Sequence, residues 1–179
     1  MVQKFGVNER YSQCHAGDIE RILSRYFCDI VGVLHVPGES SPVQRLGVDI
    51  LLMLRSGRTL TIDYKARRGS YDDIMLYYGN IEADGRKTPG IVTDDTLQMD
   101  YLLFYFSDTK RSELLDFGLL RQLWRLHSGE WLRRAANREG GFMLRESESS
   151  GRNGIYRRQL LFIPRNEYWR KLNNLGAAV

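Results

Sequence analysis

Val48-Asp49-Ile50-Leu51-Leu52-Met53-Leu54, Arg55-Ser56-Gly57-Arg58 and Thr59-Leu60-Thr61-Ile62-Asp63-Tyr64-Lys65 run consecutively, and the fold turns on how they are read. The outer segments are apolar and rich in strand formers, and the middle one is turn-forming, so the stretch predicts an antiparallel hairpin. Strand side chains alternate between faces. Thr59, Thr61, Asp63 and Lys65 therefore share one face of the second strand, and Leu60, Ile62 and Tyr64 share the other.

Asp49 sits in an otherwise apolar strand, where a charge requires a reason. The length of the turn decides whether it joins Asp63 and Lys65. An odd connection such as Ser56-Gly57-Arg58 pairs Leu54 with Leu60 and Asp49 with Lys65, placing all three charges on one face; an even one turns Asp49 away. Two converging carboxylates repel unless a cation lies between them, and a hard oxygen site suits Mg²⁺ or Mn²⁺. Such an ion polarises a phosphate and acidifies a bound water, and a neighbouring lysine orients or deprotonates that water and offsets charge on the phosphorane. The plainer alternative is an Asp63–Lys65 salt bridge at the frayed end of a hairpin.

Upstream, Ile19, Ile22, Leu23, Tyr26 and Phe27 follow helical spacing and predict an amphipathic helix over residues 18–27. Glu20 falls at the edge of its apolar stripe, from which it would complete the site as a further ligand. Pro37, Gly38, Ser40, Ser41 and Pro42 form a loop before the hairpin.

At these residues the chain resembles the PD-(D/E)XK nuclease superfamily. The signature is an acidic residue on one strand and a D/E-x-K triplet on the next, here Val48-Asp49 and Asp63-Tyr64-Lys65, after a helix carrying Glu20. Val48 stands in place of the eponymous proline. The resemblance covers about residues 15–106. It implies a restriction-endonuclease-like core, a metal held by Asp49 and Asp63 with the Tyr64 backbone carbonyl and Glu20, and Lys65 as catalytic lysine. The implied reaction is phosphodiester hydrolysis in DNA. The size fits a phage, mobile-element or Holliday-junction-resolvase-like enzyme, and a homodimer is the expected arrangement for cutting two strands. The competing class is a non-catalytic nucleic-acid-binding or protein-interaction module on the same fold.

Further along, residues 69–80 form a polar, tyrosine-rich stretch in which Ile74, Leu76 and Tyr77 suggest helix contacts. Tyr101 to Phe106 predicts a strand buried on both faces. Leu115, Leu119, Leu120, Leu123 and Trp124 suggest a helix, and Ser128 caps a second short one carrying Trp131 and Leu132. Phe142–Glu146 and Ile155–Ile163 are strands joined at Asn153-Gly154, and Pro164 and Asn166 introduce a last helix that stops near Gly176. The expectation is a single α/β domain over residues 1–179, with a central mixed sheet flanked by helices. Its nuclease-like core spans about 15–110, and a basic helix and hairpin extension spans about 111–179.

The 179 residues carry 26 Lys and Arg against 22 Asp and Glu, a net charge of +4, and residues 111–179 hold 13 of those cations against seven acids. Most are arginine, whose planar fork grips phosphate. Arg67 and Arg68 follow the lysine strand directly and are the expected nucleic-acid contacts. Arg133, Arg134, Arg138, Arg152, Arg157 and Arg158 supply a further basic surface. The three tryptophans are spaced as core residues. Gly85-Arg86-Lys87-Thr88 lacks the Gly-Lys step of a phosphate loop, so no nucleotide cofactor is expected. No apolar run reaches membrane-spanning length, Met1–Arg10 lacks a secretory core, and Cys14 and Cys28 imply no disulfide framework. The expected location is cytoplasmic.

Overall fold

The computed structural model describes residues 16–36, 46–69, 71–151 and 154–176. The loop at Pro37–Pro42, Cys14, Arg152 and Asn153 lie outside the described residues. The chain forms two compact units whose segments alternate along the sequence. One takes the described residues up to 69 together with Asp95–Gly118; the other takes Tyr71–Asp94 and the described residues from Leu119 onward. The architecture is α/β as expected, with a mixed sheet, a second sheet and, among the described residues, three α-helices.

The first unit holds α1 (Ala16–Leu23), β1 (Ile30–His35), β2 (Ile50–Leu54), β3 (Thr59–Arg67), β6 (Tyr101–Phe106) and β7 (Arg111–Asp116). Its five strands run in the order β1-β2-β3-β6-β7. All pairings are antiparallel except β3 with β6, which run parallel with Asp63 level with Leu102 and Lys65 level with Phe104. From α1, Ile19, Ile22 and Leu23 pack into one core cluster with Ile50, Leu52, Leu60, Ile62, Tyr64, Leu103 and Tyr105. Each such side chain contributes about 1.5–3 kcal/mol on burial. The expected alternation of β3 is thus realised, with its even-numbered side chains under α1. β6 is buried on both faces from Leu102 through Phe106, as its unbroken apolar run predicts.

Thr61 stitches the parallel pair. Its N–H and Oγ1 both donate to Asp100 Oδ2, at 2.8 and 2.9 Å, and the Asp100 N–H returns a bond to Thr61 Oγ1 at 2.9 Å.

The second unit holds β4 (Asp73–Ile81), β5 (Lys87–Pro89), most of α2 (Phe117–Ala136), a short 3₁₀ turn at Glu139–Gly141, β8 (Met143–Gly151), β9 (Gly154–Pro164) and α3 (Arg165–Gly176). Its antiparallel sheet runs β5-β4-β9-β8. Helix α3 lies against β9 and β4, and Lys171 on α3 reaches Glu130 on α2 at 2.8 Å.

Three expectations are corrected. Residues 73–81 form a strand, because Ile74 and Leu76 are fully buried at a spacing of two while their neighbours are half-buried. Leu115 belongs to β7, an edge strand paired with β6, and the helix begins only at Phe117. The two short helices are one helix of 20 residues; Ser128 lies inside it, and Gly118 falls in its first turn, where little is lost. Among the described residues no helix is long and apolar enough to cross a membrane.

Candidate active site

The β2–β3 connection is odd, so Asp49 is kept with Asp63 and Lys65, but the loop is Arg55-Ser56-Gly57. Leu54 N–H donates to the Arg58 carbonyl at 2.9 Å, and Gly57 N–H donates to the Leu54 carbonyl at 2.9 Å. Gly57 adopts φ +82°, a conformation that L side chains rarely take. The ladder is therefore shifted by two residues from the expected register: Leu52, rather than Leu54, faces Leu60. Asp49 stands one step beyond the Ile50–Ile62 pair, on the Asp63 side, rather than opposite Lys65.

The backbone of Asp49 is held from both sides. Its N–H donates to the Ile62 carbonyl at 3.0 Å, and its carbonyl accepts Val36 N–H at 2.8 Å. Its Oδ2 accepts the Tyr64 N–H at 2.9 Å and lies 4.0 Å from Lys65 Nζ. Lys65 Nζ lies 2.6 Å from Asp63 Oδ1. A strand residue's N–H and C=O point the same way, so the Tyr64 carbonyl opens on the side where pairing with β2 has ended.

Asp63 is the unusual member. Its side chain is only 4% exposed, against 31% for Asp49 and 42% for Lys65. Its Oδ2 is buried and finds no donor among the described residues. Burial pushes its carboxyl up to about 7; Lys65 opposes this, and the neighbouring Asp49 charge adds to it. A buried carboxylate with one cationic partner and one anionic neighbour is under-compensated. A divalent ion would supply what is missing, and two acidic oxygens with an adjacent carbonyl fit its preferences.

Glu20 is not brought to this group. It is exposed on α1, and α1 covers the face of Leu60, Ile62 and Tyr64, whereas Asp63 and Lys65 belong to the opposite face. Among the described residues no group of three or more metal-ligating side chains forms. Arg67 ends β3 on the face of Asp63 and Lys65, its guanidinium 5.5 Å from the Phe106 ring, and exposed Arg68 follows it.

Two residues of that face went unforeseen. Arg111 and Glu113 lie on β7, with Arg111 level with Phe106 and Glu113 with Phe104. The Arg111 guanidinium sits 4.2 Å from the Phe106 ring and its Nε 3.8 Å from Glu113 Oε1; Glu113 is 4% exposed. A glutamate next to Leu114-Leu115 was the available signal, hidden because the segment reads as helix.

The late basic surface is largely committed to ion pairs. Arg133 meets Glu139 at 3.1 Å, Arg134 meets Glu167 at 3.3 Å, and Arg157 meets Glu146 at 2.9 Å. Arg158 donates to Tyr156 Oη at 3.0 Å. Trp131 is fully buried and Trp124 stacks on Tyr78, as core residues do. The chain matches no family model, no curated protein and no solved structure.

Proposed function

We infer that this chain is a Mg²⁺- or Mn²⁺-dependent nuclease that hydrolyses phosphodiester bonds in DNA. The observation that carries the reading is the buried, donorless Oδ2 of Asp63 beside Asp49 and Lys65. Asp49, Asp63 and the Tyr64 carbonyl would hold the ion. When bound, it would polarise the scissile phosphate and acidify a water. Asp63, relieved of its proton, keeps both oxygens as acceptors. Lys65, tethered to Asp63 yet 42% exposed, faces the reacting phosphate, where its ammonium offsets developing negative charge. Arg67 and Arg68, beyond the end of the same strand, fit contacts to the flanking backbone.

The test is cleavage of linear duplex, supercoiled plasmid, single strand, branched junction and RNA in Mg²⁺, Mn²⁺ or EDTA. Cutting should require metal and fall by roughly 10²–10⁴-fold in Lys65→Ala and in Asp63→Asn, the range for removing one catalytic group. Glu20→Gln should cut within a few-fold of the parent, since Glu20 stands on the far face. Calorimetry that finds no Mg²⁺ or Mn²⁺ uptake dependent on Asp49 and Asp63 would replace this reading with the non-catalytic binding module.

A further inference from the structure

We propose that the chain forms a two-fold dimer by antiparallel pairing of β1 with β1 of a second copy, joining two five-stranded sheets into one. Strand β1 is an edge: among the described residues it pairs only with β2, leaving alternate N–H and C=O groups on its outer side. Soluble proteins protect such edges with charge, proline or a bulge. Ile30-Val31-Gly32-Val33-Leu34-His35 has no Lys, Arg, Asp, Glu or Pro, and its one register shift lies at its start, between Ile30 and Gly32, leaving Gly32–His35 in regular pairing with β2. Val31 is 60% and Leu34 53% exposed, and beside them Met53 on β2 is 40% exposed. Met53 lies across Gly32, its Cε 2.6 Å from where a β-carbon would stand. The edge thus presents, among the described residues, an apolar shelf alongside hydrogen-bonding groups that no strand pairs.

Charge decides the occupant. Pairing β1 with its own two-fold image brings no Lys, Arg, Asp or Glu of the strand against a like charge. The opposite edge, β7, carries Arg111, Glu113 and Asp116, so head-to-tail joining of β1 to β7 would set an uncharged apolar strand against a charged one. The assembly therefore closes at two copies, because each β1 is used up by the other. This inference draws on the edge alone and stands or falls separately from the nuclease reading.

The experiment is sedimentation velocity on the metal-free full chain from about 1 to about 100 µM, beside Val31→Lys and Leu34→Lys, with hydrogen exchange read on β1. The wild type should sediment at twice 20.8 kDa, and each variant should raise the dissociation constant at least tenfold while keeping the parent's circular dichroism and the melting temperature of the parent diluted to monomer. Amides of Ile30–His35 should exchange faster in the variants than in the wild type. Leu126→Lys, at a residue 62% exposed on α2, should leave the dimer intact. A wild type that stays monomeric throughout overturns the proposal, leaving the edge for another protein's strand. Open-ended filaments, or variants that dimerise as tightly as the parent, overturn it as well.

Discussion

The two faces of the five-stranded sheet are made by the same strands and do opposite things. On the face under α1, Leu60, Ile62 and Tyr64 stand together and join a buried hydrophobic cluster. One residue along in each case, Thr61, Asp63 and Lys65 turn the other way, into bonds with Asp100, Asp49 and each other. The comparison separates stability from chemistry. The first face holds the strands in register, and that rigidity lets the second keep a carboxylate where its charge is penalised.

The largest break in this contrast should come from the apolar face. Leu52→Ala removes a fully buried side chain from the α1 cluster and should cost roughly 2–5 kcal/mol in urea denaturation, with the site geometry lost only by unfolding. A cost below about 1 kcal/mol would mean the cluster is not the support assigned to it.

On the other face the sign should reverse. The Asp63 carboxyl binds its proton more tightly folded, at about 7, than at the 3.8 of an unfolded chain. Its contribution to stability is fully present below about pH 4 and is lost as pH rises through about 7. Asp63→Asn should therefore stabilise the metal-free protein at pH 8 by on the order of 2 kcal/mol and flatten the melting temperature across that window. Saturating Mg²⁺ should raise the parent's melting temperature and leave the variant's unmoved. A variant less stable than the parent at pH 8 would show that Asp63 is an ordinary satisfied ion pair.

The smallest effect belongs to Thr61, half-exposed on the same face. Thr61→Val deletes the Oγ1 bonds to Asp100 at the start of β6 and should cost about 1 kcal/mol in thermal denaturation. An unchanged melting temperature would show that the parallel pairing holds without that stitch.

The hairpin and its alternation were legible in the sequence because β-branched and apolar residues at a spacing of two leave few other arrangements; the parity of the turn was not, since Arg55-Ser56-Gly57-Arg58 accommodates an odd or an even connection. The register was out by two residues. A glycine that accepts positive φ at position 57 closes the turn one residue earlier than Ser56-Gly57-Arg58 suggests. Asp49, Asp63 and Lys65 were legible as charges in apolar surroundings. Glu20 was not placeable, since a helix edge does not reveal which face of a sheet the helix covers. β4 and β7 were misread for a tertiary reason. Tyr77 and Tyr78 or Leu114 and Leu115 fit either period, and only pairing with β9 or β6 selects the strand.

That dependence of β4 on β9 has a consequence for synthesis. Asp73 pairs with Pro164, about 90 residues later in the chain, so at about 5–20 residues per second β4 leaves the ribosome roughly 5–20 s before its main partner exists. Every strand of the sheet bearing Asp63 is made by residue 116. Ile74 and Leu76 must therefore wait, apolar and uncovered, for a strand still being translated. Ribosome-arrested chains from which about 118 residues have emerged should be cut by protease at residues 71–94 and spared at β2 and β3; equal resistance of both would mean that β4 finds shelter before β9 arrives. In cells short of chaperones, this interval is where yield should be decided.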